Sequence, residues 1–246
     1  MAGLFAGVFL SALVAPVVLA GGDYDLDVGA GIGTDVGRTA MQVATDQPLD
    51  DRRVPLALAA LLQIPLWVGL LGAPLLARRW GLRWRRDLGL RQRWFDVPAG
   101  LVAGVMLQLV VVPVLYIPIF ELIGDQDVGE AARSLVGRAD GWLDLAALVV
   151  MVVVGAPLVE EIFFRGLLHR AVAEQLAPRG RGGVALAVVV SSTVFAASHL
   201  QPLQFPALFV VGVVTASMVQ VSGRLGPALW THVGFNATTV VLLLAG

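Results

Sequence analysis

Apolar residues in this chain arrive in long unbroken blocks, at 4–20, 54–77, 97–123, 143–176, 184–200, 205–221 and 228–245. None shows the one-sided spacing of a helix half-buried in a water-soluble core, and most approach the roughly 20 residues that carry a helix across a bilayer. The pattern predicts an all-α, polytopic membrane helical bundle of about seven transmembrane helices, without an internal repeat or a separate soluble domain. Pro65 and Pro74 in the second block and Pro113 and Pro118 in the third predict kinks. The fifth and sixth blocks are joined by only Gln201-Pro202-Leu203-Gln204, a link short enough to suit a re-entrant helix pair as well as two full spans. Val18-Leu19-Ala20 before Gly21 gives residues 1–20 an alternative reading as a signal peptide, but the basic segment that would precede one is missing, which favours a retained span.

The polar stretches between the blocks set a direction. Residues 21–53 hold seven aspartates against three arginines, and their glycines (Gly29, Gly31, Gly33) follow no strand and open no helix. They read as an external loop, not as a nucleotide-binding turn. Residues 78–96 hold seven arginines against two aspartates and are expected on the cytoplasmic side, flanked by Trp80, Trp84 and Trp94 at the interface. Such an arginine cluster also suits anionic lipid head groups. The alternation places the amino terminus in the cytoplasm and the carboxyl terminus outside, in the cell membrane. It divides the chain into residues 1–96, with two spans and these two loops, and a core at 97–246. Composition agrees: 57% of residues are hydrophobic and 14% charged, against about 25% charged in a soluble domain. Cysteine is absent, which excludes disulfides, thiol nucleophiles and thiolate metal sites. All 17 basic residues are arginine, a bias expected of a GC-rich bacterial genome. No nucleic-acid partner is expected.

Ionisable residues inside such blocks are expensive and tend to be functional. Three helical stretches carry them. Leu158-Val159-Glu160-Glu161-Ile162-Phe163-Phe164-Arg165-Gly166 places Glu161 and Arg165 four apart on one helix face, where they can pair. Glu160 is turned about 100° away, free to act as a general base. Phe195 and His199 share a face of the fifth block, and His232 and Asn236 a face of the last. Two carboxylates, an arginine, two imidazoles and an amide can thus converge: Glu160 with His199 to activate water, His232 with Asn236 to hold an oxyanion. The bland readings are a structural ion pair for the Glu–Arg set, a hydrogen-bonded core imidazole for His199, and interhelical glue for Asn236. His169, in a basic interfacial stretch, is left outside the site.

Glu-Glu-x-x-x-Arg, Phe-x-x-x-His and His-x-x-x-Asn, in that order on successive apolar helices, resemble the CPBP family. That family takes in type II CAAX prenyl proteases and the Abi-like bacteriocin-processing or immunity proteins. The resemblance is strongest over 143–240 and every motif position is filled. It implies an intramembrane endopeptidase acting on membrane-embedded or lipidated peptides, with Glu160, His199, His232 and Asn236 catalytic, Glu161 and Arg165 their supporting pair, and Phe195 and Phe164 beside the substrate. No resident cofactor is expected. The family has been described both as glutamate-dependent and as metal-dependent, so zinc held by Glu160, His199 and His232 stays open. The permanent cation of Arg165 favours the metal-free route.

Motifs for zinc, serine or aspartyl intramembrane proteases are lacking. Two non-protease readings remain: a non-catalytic scaffold or immunity protein that uses the polar cluster for packing, and a small transporter, against which stands the lack of a repeat. Depth poses a difficulty. Counted from residue 184, His199 lies about 22 Å along its helix, toward the outer face, while Glu160 lies nearer the cytoplasm. A strong tilt or a re-entrant pair would reconcile them.

Overall fold

The computed structural model describes residues 56–137, 139 and 141–245. The first expected span, at 4–20, and the acidic loop 21–53 lie outside the described residues. Regular structure among the described residues is entirely helical. Helix α1 (Leu56–Ala77) leads through a 3-10 turn (Arg78–Trp80) and the short α2 (Trp84–Asp87) to α3 (Asp96–Ile123). A small α4 (Glu130–Val136) precedes the long α5 (residues 142–176), which a 3-10 turn (Ala177–Arg179) joins to α6 (Gly180–Ala197). Helices α7 (Phe205–Ser222) and α8 (Gly226–Ala245) complete the chain.

Four helical stretches among these residues are long and apolar enough to cross a membrane: Asp96–Ile123, Trp142–Ala197, Phe205–Ser222 and Gly226–Ala245. The second, 56 residues long, folds back at Ala177–Arg179 into the arms α5 and α6. The chain is a multi-pass membrane protein. Its outward residues agree, since α3 exposes Val102, Val114 and Ile117, which in a bilayer would meet acyl chains.

Glycines set the closest helix contact. A Cβ on Gly100 or Gly104 would overlap the backbone of Thr231 on α8, and one on Gly234 would overlap the Leu101 backbone. The α3 and α8 axes therefore approach as close as small residues allow. At one end the pair is clamped by Arg224, which donates from Nε to Asp96 Oδ2 (2.9 Å) and from Nη2 to Oδ1 (2.7 Å). Nearby, the 84–93 segment hydrogen-bonds the turn between α7 and α8, Leu225 N donating to Gly89 O (2.8 Å).

Two prolines explain where the helices widen. Segments Leu107–Val111 and Val149–Gly155 are π-helical, and each ends two residues before a proline, Pro113 or Pro157. Proline lacks an N–H and crowds the preceding turn, and a wider turn accommodates it. A third π segment, Glu161–His169, carries the Glu-Glu-x-x-x-Arg motif itself.

The relative starts of the helices bear on the depth difficulty. Helices α6 and α7 are uninterrupted, each of 18 residues, or about 27 Å. The rings of Phe195 and His232 are 5.8 Å apart, yet Phe195 lies near the end of α6 and His232 near the start of α8. Both helices run the same way, so α6 begins about nine residues, or about 13 Å, before α8 does. The expectation had started the fifth span level with the bilayer surface, whereas the α5–α6 hairpin reaches past the start of α8.

Candidate active site

The centre of the site is a buried chain of charges. Glu161 and Arg165 are each 1% exposed, and Arg165 Nη1 lies 3.3 Å from Glu161 Oε1. Both would be prohibitive alone in an apolar interior; together they neutralise one another. On the other side of Glu161, Oε1 lies 3.0 Å from His232 Nδ1. An ionised carboxylate can only accept, so Nδ1–H donates, and the imidazole is held with Nε2 pointing away. That Nε2 is 3.8 Å from Glu160 Oε2. His232 thus stands between two carboxylates, one at each ring nitrogen. Glu160 keeps 15% of its side chain exposed and is the open end of the chain.

Phe195 forms the wall behind these groups. Its ring lies 4.0 Å beneath the Arg165 guanidinium and meets Phe164, His199 and His232 edge-on at centroid distances of 5.2, 4.9 and 5.8 Å. A desolvated cation over an aromatic face is worth about 2 kcal/mol, which helps hold Arg165 where its Nη atoms lack well-aligned hydrogen bonds. Phe195 has no exposed surface and Phe164 almost none. The structure puts both rings behind the polar groups, so neither meets open space as the expected substrate contact would.

His199 follows the last turn of α6. Its Nδ1 lies 2.9 Å from the Phe195 carbonyl oxygen, and a carbonyl cannot donate, so Nδ1 carries the hydrogen and Nε2 is the basic nitrogen of the neutral ring. The next residue, Leu200, adopts a left-handed conformation (φ 55°) that turns the chain immediately after the imidazole. For a leucine this costs about 1–2 kcal/mol. His199 reaches the other polar groups through the Phe195 ring.

Asn236 makes the interhelical bond that its bland reading had offered. Its Nδ2 donates to the Val152 carbonyl at 2.8 Å. In the π segment before Pro157, Ala156 N–H bonds back five residues to Met151 O. The next bond in that register would run from residue 157 to Val152 O, and Pro157 has no N–H. Asn236 supplies the missing donor. Its second Nδ2 hydrogen is left for another acceptor.

His169, set aside on sequence grounds, is 1% exposed. Its Nδ1 is 3.1 Å from Ser191 Oγ and its Nε2 3.1 Å from Gln220 Oε1. It lies two helical turns beyond Glu161 on the face that carries Arg165, and ties α5 to α6 and α7. Its spacing from Glu161 and Arg165 was the signal that could have placed it. No metal was expected, and Glu160, His199 and His232 were the ligands left open for one. Among the described residues no three His, Asp or Glu side chains converge as a metal-binding group. The cluster does not fit that ligand set.

Residues 142–238 match the family described as Type II CAAX prenyl endopeptidase Rce1-like. No match was found among curated proteins or solved structures. The matched segment opens at the start of α5 and closes two residues past Asn236, so it contains all three motifs and every side chain of the buried cluster. The chain is thus similar, over residues 142–238, to the family toward which the three motifs had pointed.

Proposed function

We propose that the chain is an intramembrane endopeptidase that hydrolyses peptide bonds of membrane-embedded or lipidated substrates. The observation that carries this reading is the position of Glu160: a carboxylate at the open edge of an otherwise buried polar cluster, 3.8 Å from an imidazole whose orientation a second carboxylate fixes. A structural ion pair needs only Glu161 and Arg165. Glu160 adds a second negative charge, which catalysis requires and packing does not.

In the proposed reaction, water binds between the Glu160 carboxylate and His199 Nε2. Glu160 takes a proton as the water oxygen attacks the scissile carbonyl carbon. The oxyanion that forms accepts a hydrogen bond from His232 Nε2–H. In this step both ring nitrogens of His232 carry hydrogen, Nδ1–H donating to Glu161 and Nε2–H to the oxyanion. The free Asn236 amide hydrogen is the second donor. Collapse breaks the C–N bond, and the Glu160 proton passes to the leaving amine, restoring the enzyme. Arg165 pairs with Glu161, and Glu161 in turn keeps His232 oriented. No metal enters this sequence.

The second reading, a non-catalytic scaffold or immunity protein, is favoured by one contact: the Asn236 bond to Val152 shows a motif residue serving the fold. Glu160→Gln separates the two. Size-exclusion behaviour and thermal stability in detergent should match wild type, while cleavage of a quenched peptide library disappears. A variant that retains cleavage would overturn the enzymatic assignment, and a cellular phenotype that persists without cleavage would favour the scaffold.

Orientation belongs to the same proposal. The arginines of the 78–95 segment, Arg170, Arg179, Arg181 and Arg224 all fall at the end where α3, α6 and α8 begin. We assign that end to the cytoplasm, with the carboxyl terminus on the opposite side.

A further inference from the structure

His199 lies two residues past the end of α6, and the turn that follows it, residues 200–204, carries backbone strain. Leu200 is held at φ 55°, a conformation that a β-carbon makes costly and that persists only where the surroundings over-determine it. Two hydrogen bonds reach this turn from α3 and the connection after it. The Tyr116 hydroxyl donates to the Leu203 carbonyl, and Gln204 Nε2 donates to Val128 O at 3.1 Å. The turn does not need them to close, since Gln204 N and Phe205 N already donate to Gln201 O (3.1 and 3.0 Å).

Tyr116 is 4% exposed and sits within an apolar span, so its hydroxyl must find a partner inside the protein. Satisfying that hydroxyl would not by itself call for the second bond, one residue further along the same turn. The two bonds together act as a strap, Tyr116 from within the spanning helix and Val128 from the loop beyond it. The backbone of His199 is thereby fixed on both sides. Before it, Ser198 N and His199 N donate to Val194 O and Ala196 O (3.0 and 3.3 Å); after it stands the strapped turn. Taking His199 as the partner of Glu160 in the hydrolytic reading, we propose that Tyr116 is a positioning residue. Its bond to Leu203 holds the turn that keeps Leu200 in the left-handed region, and so keeps His199 Nε2 where the attacking water binds.

Glycine adopts the left-handed conformation without a steric cost, so Leu200→Gly should preserve the turn when the strap is cut. A tyrosine that merely fills space would show no such rescue. Full-length protein in lipid is assayed with a quenched peptide library as wild type, Tyr116→Phe, Leu200→Gly and the double variant. Tyr116→Phe should lower kcat about fivefold, the order of one hydrogen bond, with KM unchanged. The double variant should return to within about twofold of wild type. In parallel, imidazole signals of protein labelled with nitrogen-15 histidine report the ring itself, those of His199 being identified by their loss in His199→Gln. They should show Nδ1 protonated in wild type, a mixture of tautomers in Tyr116→Phe, and Nδ1 protonated again in the double variant. An unchanged kcat beside an active wild type, an unchanged spectrum, or a defect that Leu200→Gly leaves in place would overturn the proposal. Absence of cleavage in every form, with the spectra in the expected order, would sink the hydrolytic reading and leave the positioning of His199 by Tyr116 standing. Gln204→Ala cuts the second bond at a half-buried residue; it should move kcat and spectrum the same way, and it tests the strap even if Tyr116→Phe fails to fold.

Discussion

Asn236 separates structural from catalytic work within a single side chain. If its whole task is to replace the N–H that Pro157 lacks, Asn236→Leu leaves the Val152 carbonyl unsatisfied and lowers stability by about 1–3 kcal/mol. Pro157→Ala then restores a backbone donor, and the double variant should recover much of that loss in thermal unfolding. If Asn236 also donates to an oxyanion, the rescued protein will be stable but slow, with kcat down about 10²-fold or more. Recovery of full activity in the double variant would make Asn236 purely structural. The Glu161–Arg165 pair invites a similar cycle. Arg165→Leu strands a buried carboxylate and should cost about 3–5 kcal/mol, whereas Glu161→Gln with Arg165→Leu should cost less than the single change. Unfolding midpoints of the three variants would show it. At this scale the sequence was informative about which side chains carry charge and which pair at i,i+4, because helix spacing alone fixes that. It could not show that Phe195 is wall and not surface, nor that Val152 needs a donor, since both follow from contacts made across helices.

Among the elements, the contact between α3 and α8 positions His232. Gly104→Leu would drive a side chain into the Thr231 backbone and should abolish folded protein in a size-exclusion assay. Leu75→Ala, by contrast, changes an exposed α1 side chain and should leave the elution profile unchanged. Helix boundaries were legible, because the apolar blocks and their Gly and Pro punctuation mark them: the expected 205–221 became Phe205–Ser222 and the expected 228–245 became Gly226–Ala245. The π segments were not. Prolines predicted kinks at 65, 74, 113 and 118, with no expectation for Pro157, but whether a helix bends or widens depends on which neighbour can satisfy the freed carbonyl. The level of the site was misjudged for a related reason. Hydropathy marks where apolar residues start and stop, and it does not register that the α5–α6 hairpin runs past the start of α8.

For the whole molecule, the gathering of arginines at one end makes topology testable. The chain has no cysteine, so single cysteines can be introduced without a background. With Arg85→Cys and Gly124→Cys in sealed vesicles of known sidedness, an impermeant thiol reagent should reach position 85 from the cytoplasmic face only and position 124 from the opposite face only. The reverse pattern would invert the assignment of both termini. The same orientation brings the open edge of Glu160 nearer the cytoplasmic surface than the outer one, since His232 stands only about two turns from the start of α8.

The most direct test of the hydrolytic assignment is cleavage by protein reconstituted in lipid, with a peptide library, in water enriched in oxygen-18. Products are read by mass spectrometry for wild type, Glu160→Gln and His199→Ala, each with and without a strong chelator. The account predicts cleavage by wild type alone, one labelled oxygen in each new carboxyl terminus, and no effect of the chelator. Cleavage that the chelator abolishes and zinc restores, or cleavage that survives both substitutions, would contradict it.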